Sequence, residues 1–118
     1  KPNAIYNMFK QAKNEKNKDL WGSGERKMQY ISIDDVIINS LGQSLLTPDI
    51  YNLGSNNYLS TNDVVNCIAK AKNVNVSVLS KKKEGETLPF MGNDKIKNIN
   101  NFEFNDVLEN IYEFAKNN

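Results

Sequence analysis

Leu20-Trp21-Gly22-Ser23-Gly24-Glu25-Arg26-Lys27-Met28-Gln29-Tyr30-Ile31-Ser32-Ile33-Asp34-Asp35-Val36 is the stretch on which the fold turns. Asp19-Leu20-Trp21 reads as a short strand that runs into the turn Gly22-Ser23-Gly24, and Met28, Tyr30, Ile31 and Ile33 read as a second strand. Asp34-Asp35 stands where a helix N-cap belongs, with its carboxylates favoured by the helix dipole. Val36, Ile37, Leu41 and Leu45 then follow at helical spacing up to Pro48. Strand, turn, strand and helix within so few residues make this an α/β chain.

The pattern continues outward on both sides. Upstream, Ile5, Met8, Phe9 and Ala12 recur on one helical face and end in a polar run. Downstream, Ile50-Tyr51-Asn52-Leu53 is a compact strand signal closed by Gly54-Ser55-Asn56-Asn57. Ser60-Thr61-Asn62-Asp63 resembles a capping box with Asp in place of Glu or Gln, ahead of the apolar face of Val64, Val65, Ile68 and Ala71. Val74, Val76 and Val78 alternate as a half-buried strand. Asn105 is placed to cap a last helix carrying Leu108, Ile111, Tyr112 and Ala115. No repeat or long linker interrupts the chain, so residues 1–118 form one domain.

Composition narrows the chemistry. The 118 residues carry 15 basic and 14 acidic side chains, a net charge of +1, which gives no electrostatic footprint for nucleic acid or an anionic membrane. No apolar run approaches the length of a membrane span. Cys67 is the single cysteine, so there is no disulfide framework, and a cytoplasmic setting is expected. The absence of histidine removes Ser-His-Asp and Cys-His nucleophiles and most zinc sites. No metal site is expected. The chain opens at Lys1 and runs almost at once into a helix, which reads as a piece of a longer protein. Periodicity alone fits a small-molecule binding domain and a structural module equally.

Four segments, taken in order, resemble the second half of the extended short-chain dehydrogenase/reductases, the NAD-dependent epimerase/dehydratase family. The first is the 20–36 stretch, similar to an aromatic-Gly-x-Gly turn, a strand, and Asp-Val opening a helix. The second is Ile50-Tyr51-Asn52-Leu53-Gly54-Ser55, with Ser60 and a helix at the matching distance. Lys83-Glu84-Gly85-Glu86 stands near the family's Arg-x-Gly-Asp, and Asp94-Lys95-Ile96 with the helix from Leu108 to Phe114 resembles its ending. The matches cover essentially the whole chain.

The resemblance implies the C-terminal, substrate-side region of a nucleotide-sugar epimerase (an isomerase) or dehydratase, with the N-terminal NAD-binding Rossmann domain absent. The parent would act by transient hydride transfer with NAD, using a Ser-Tyr-Lys site that this chain lacks. Neither the catalytic residues nor the cofactor-binding residues are expected here, and the isolated chain is expected to be inactive. Four residues are implied as substrate contacts. Trp21 would border the nucleobase, or else anchor the core. Asn52 would donate to a phosphate or ribose, or else form a turn. Lys83 would meet the diphosphate as a point charge, or else belong to a solvated loop with Lys81 and Lys82. Met28 departs from a family Arg and cannot hold a phosphate. Arg26, the only arginine, shares its strand face and is the better candidate.

Two Tyr-x-x-x-Lys strings, from Tyr6 and Tyr112, fall on helices that the pattern already explains and are not expected to be catalytic. Gly22-x-Gly24 precedes a strand, so it is no dinucleotide fingerprint. In the family, the helix after Asp35 and the 50–53 strand belong to the Rossmann sheet. Ile37, Ile38, Ile50 and Leu53 would then be exposed, giving self-association through that edge unless the missing domain covers it. The alternative is a free-standing nucleotide- or sugar-binding or interaction module without catalysis.

Overall fold

The computed structural model describes residues 3–15, 17–41, 47–100 and 102–118. In chain order the elements are α1 (Ala4–Glu15), β1 (Asn17–Trp21), β2 (Lys27–Tyr30), α2 (Ile33–Leu41), β3 (Asn57–Ser60), α3 (Thr61–Lys72), β4 (Asn75–Leu79), α4 (Asp94–Asn100) and α5 (Val107–Asn117). β1 and β4 pair in parallel, with Leu20 opposite Val78, so everything between them forms the crossover. β2 and β3 form a separate antiparallel ribbon, with Met28 opposite Leu59.

The three long apolar faces read from the sequence converge. Phe9 and Ala12 of α1, Val64 and Ile68 of α3, and Ile111 and Ala115 of α5 make one buried cluster, which Val107 joins while the expected Leu108 and Tyr112 stay half-buried outside it. α3 begins where the sequence placed it. Ser60 Oγ accepts from the Asp63 amide at 3.0 Å, and the Asp63 carboxylate accepts from the Ser60 amide at 2.8 Å. Asp is short for this reciprocal role, yet it reaches. Asn73 ends the helix in the left-handed region at φ 52°, and the Val74 amide returns to the Ala69 carbonyl.

Local chemistry shifts several expected boundaries. β2 stops at Tyr30 and Ile33 already begins α2, because Ser32 caps that helix: its Oγ accepts from the Asp34 amide and its carbonyl from the Val36 amide. Asp34 and Asp35 therefore occupy the first turn. The cap of α5 is Asp106, whose Oδ1 accepts from the Glu109 amide at 3.1 Å. Asn105 instead donates through its backbone and side chain to the buried Asp35 carboxylate. Residues 94–100, read only as a leader to the last helix, form a helix of their own.

The expected strand at 50–53 is not formed. No described strand runs beside it. Its polar groups are served from elsewhere: the Asp49 carboxylate accepts from the Ile50 amide, and Lys95 Nζ donates to the Ile50 carbonyl. The apolar exposure expected on this side is present for Ile37, Ile38 and Ile50, and Ile50 is 86% exposed. Leu53 departs from the expectation and is half-buried. Leu45 lies outside the described residues. No described helix is long and apolar enough to cross a membrane.

Candidate functional site

A cavity of about 490 Å³ opens where α1, the two strand pairs and the 83–85 loop meet. α1 contributes Ala4, Asn7, Met8 and Gln11, β2 contributes Met28 and Tyr30, and α3 contributes Thr61 and Val65. Asp19, Arg26, Lys83, Glu84 and Gly85 complete the lining. Met8, Met28, Tyr30 and Val65 make an apolar face. Both cations enter from loops that flank the strands.

Gly22 and Gly24 hold the turn after β1 with φ of 68° and 75°, values that side chains rarely adopt. This lets the chain reverse and send Arg26 back over the cavity. Arg26 Nε donates to the Glu86 carbonyl at 2.8 Å, and the guanidinium lies against Gly85, where a Cβ would sit only 3.0 Å from Cζ. A side chain at position 85 would push the guanidinium away. The next residues keep the two segments together: the Lys27 amide donates to Thr87 Oγ1, and the Leu88 amide to the Lys27 carbonyl.

Both carboxylates of the site accept hydrogen bonds from neutral donors. Asp19 accepts from Gln11 Nε2 at 3.1 Å, and Glu84 accepts from the Arg26 amide and Ser23 Oγ. Burial pushes the Tyr30 phenol above its ordinary pKa, and the nearby Arg26 charge pulls it partly back. Tyr30 is thus a neutral hydroxyl at neutral pH, facing a cation.

The structure brings together two of the four expected substrate contacts, Arg26 and Lys83. Met28 lines the same cavity as Arg26, although β2 begins only at Lys27, so Arg26 enters from the loop before the strand and not from a strand face shared with Met28. Asn52 is exposed and lies outside this cavity, because the 50–53 segment is not a strand that could deliver it there. The Trp21 side chain lies outside the described residues. The backbone of Trp21 ends β1 in register with Leu79. Sequence reasoning missed Glu84 and Tyr30. Tyr30 was visible as an alternating strand residue two beyond Met28, but the role of Glu84 needs a contact across 58 residues of chain.

The Gly22-Ser23-Gly24 turn does not fit a dinucleotide. It leads to a strand instead of a helix N-terminus, and the Glu84 carboxylate sits on it.

The fold is that of part of the extended short-chain dehydrogenase/reductases, matched over 95–98% of this chain. Among the solved structures that share it is a GDP-L-fucose synthetase from Naegleria fowleri (TM-score 0.77, 20% identity, 95% of this chain and 36% of that chain). Another is a dTDP-glucose 4,6-dehydratase from Bacillus anthracis in complex with NAD (TM-score 0.75, 18% identity, 98% and 40%). A third is a UDP-glucose 4-epimerase from Bifidobacterium longum in complex with NAD+ and UDP (TM-score 0.72, 16% identity, 98% and 38%). The chain therefore spans about two fifths of the length of these enzymes. No family model matches the sequence. No curated protein matches it either.

Proposed function

We propose that this chain is the substrate-side part of an NAD-dependent nucleotide-sugar epimerase or dehydratase. The observation that carries this reading is the cavity where Arg26 and Lys83, far apart in sequence, share one rim above an apolar face. A nucleoside diphosphate sugar has the matching chemistry: an anionic diphosphate for the rim and a flat base for apolar contact. The fold shared with enzymes named for GDP-, dTDP- and UDP-linked sugars supports the same class. NAD and the residues that hold it belong, in this reading, to a domain outside these residues. The exposed face of α2 that carries Ile33, Ile37 and Leu41 is where that domain would pack.

The chain's own work is then binding and orientation. Arg26 presents a guanidinium held by Glu86 and Gly85, so little side-chain freedom is lost when a phosphate arrives. Lys83, exposed, adds a point charge screened by salt. Calorimetry with UDP, dTDP and GDP tests this reading. One of the three is expected to bind, with Arg26→Ala weakening it by about 10–100-fold and Lys83→Ala by up to about fivefold. NAD is expected to bind only weakly. Absence of binding by all three nucleotides, or stoichiometric NAD binding, refutes the reading.

A further inference from the structure

We propose that Glu84 is the positioning residue of this site, a latch that holds both cations at the cavity rim. Its two carboxylate oxygens are divided between two donors on the opposite loop. Oε1 accepts from the Arg26 amide at 3.0 Å, and Oε2 accepts from Ser23 Oγ at 3.2 Å. Its Cβ lies 2.9 Å from where a side chain on Gly22 would begin, so the two loops touch closely there. Lys83 and Gly85, the residues on either side of Glu84, are the ones that line the cavity and receive the Arg26 guanidinium.

The physical argument follows from what a free loop would do. Residues 81–86 are mostly exposed and polar, so little apolar burial fixes them. The Lys82 amide anchors the start of the loop on the Leu79 carbonyl, and the Leu88 amide anchors its end on the Lys27 carbonyl. Between these anchors, Glu84 is a charged acceptor gripping the turn that carries Arg26. Charge-assisted hydrogen bonds of this kind are about twice as strong as neutral ones. An anionic ligand, however, is repelled by the Glu84 carboxylate. Positioning and repulsion thus predict opposite signs when Glu84 is removed.

The binding half of this inference rests on reading the cavity as a nucleoside diphosphate site, so the experiment carries a readout that does not. Wild type, Glu84→Ala and Glu84→Gln are compared by amide hydrogen exchange and by UDP calorimetry. In Glu84→Ala the Arg26 amide is expected to exchange at least about tenfold faster, with the Ile68 and Ala69 amides of α3 unchanged. UDP affinity is expected to fall about tenfold. Glu84→Gln, which keeps an oxygen for the Arg26 amide, recovers both to within about threefold of wild type. Unchanged Arg26 exchange in Glu84→Ala overturns the latch. So does UDP affinity that holds or rises, which would make repulsion the larger effect, or a Gln variant no better than Ala. If wild type binds no UDP, the binding arm is run with dTDP or GDP; the cavity reading fails by itself only when none of the three binds, and faster Arg26 exchange in Glu84→Ala, restored by Gln, still upholds the latch.

Discussion

Gly54→Ala is the substitution from which the structure predicts most. Gly54 is buried, and a Cβ built on it would lie 2.6 Å from Gln29 Nε2 and 2.9 Å from the Met91 carbonyl oxygen. The second of these atoms is backbone and cannot swing aside. The first belongs to a side chain already in use: Gln29 Nε2 donates to the Ser55 and Met91 carbonyls at 2.6 and 3.0 Å, and its Oε1 accepts from the Met91 amide at 2.9 Å. Relieving the clash means breaking part of the knot that ties β2 to residues 54–55 and 91. Overpacking costs about 1–3 kcal/mol, and one or two lost hydrogen bonds add about 1 kcal/mol each. The lower entropy of the unfolded alanine chain returns about 0.4–1 kcal/mol. A net loss of about 2–3 kcal/mol is expected, seen as a fall of about 1–2 M in the urea midpoint. Gly92 is the control, because nothing lies within 4 Å of a Cβ there, and Gly92→Ala is expected to stay within about 0.5 kcal/mol of wild type. Equal midpoints for Gly54→Ala and wild type, or equal losses in the two variants, would refute the reasoning.

Asp35→Ala removes a fully buried acceptor from both nitrogens of Asn105 and should cost about 2–4 kcal/mol in urea unfolding, against little if the bridge is dispensable. Burial first, and the Asp106 carboxylate second, push the Cys67 thiol above its ordinary pKa, with Lys70 pulling it back. Iodoacetamide should therefore alkylate Cys67 more slowly than a free thiol at pH 8. The stability linked to the protonated thiol is fully present below the ordinary thiol pKa and lost as pH rises through the folded value. A rate equal to that of a free thiol would contradict this. The exposed Ile37 and Ile38 should make the chain self-associate at high micromolar concentration, and serine at both positions should reduce it. Ultracentrifugation showing the unmodified chain as a clean monomer would count against an apolar docking face.

Half of the candidate site is legible in the sequence. Alternation along a strand puts Arg26 on the face of Met28; both line the cavity, although Arg26 enters from the loop before β2. Lys83 could be picked out only by its place in a Lys-Glu-Gly-Glu string, where a solvated loop was the stronger reading. The resemblance that singled out Asn52 assumed a strand. That segment would need a neighbouring strand to pair with, and among the described residues it has none. Glu84 was unreadable because its two partners lie about 60 residues away, beyond the reach of any local pattern.

The sequence by itself determined what local physics controls. The apolar faces of α1, α3 and α5 follow from a 3.6-residue period, the start of α3 from the Ser60 and Asp63 pair, and β4 from alternating valines. Each is decided by neighbours within a turn or two of chain. Tertiary structure decided which of several possible partners each polar group takes. Asp35 had the credentials of a helix cap, yet Asn105 claims it, while Ser32 caps the helix in its place. Gly54 and Gly85 are ordinary glycines in the sequence, and only the folded chain shows what presses against them: the Met91 carbonyl and the Arg26 guanidinium. Hydrogen-bond partners and close approaches are set by three-dimensional proximity, which periodicity does not encode.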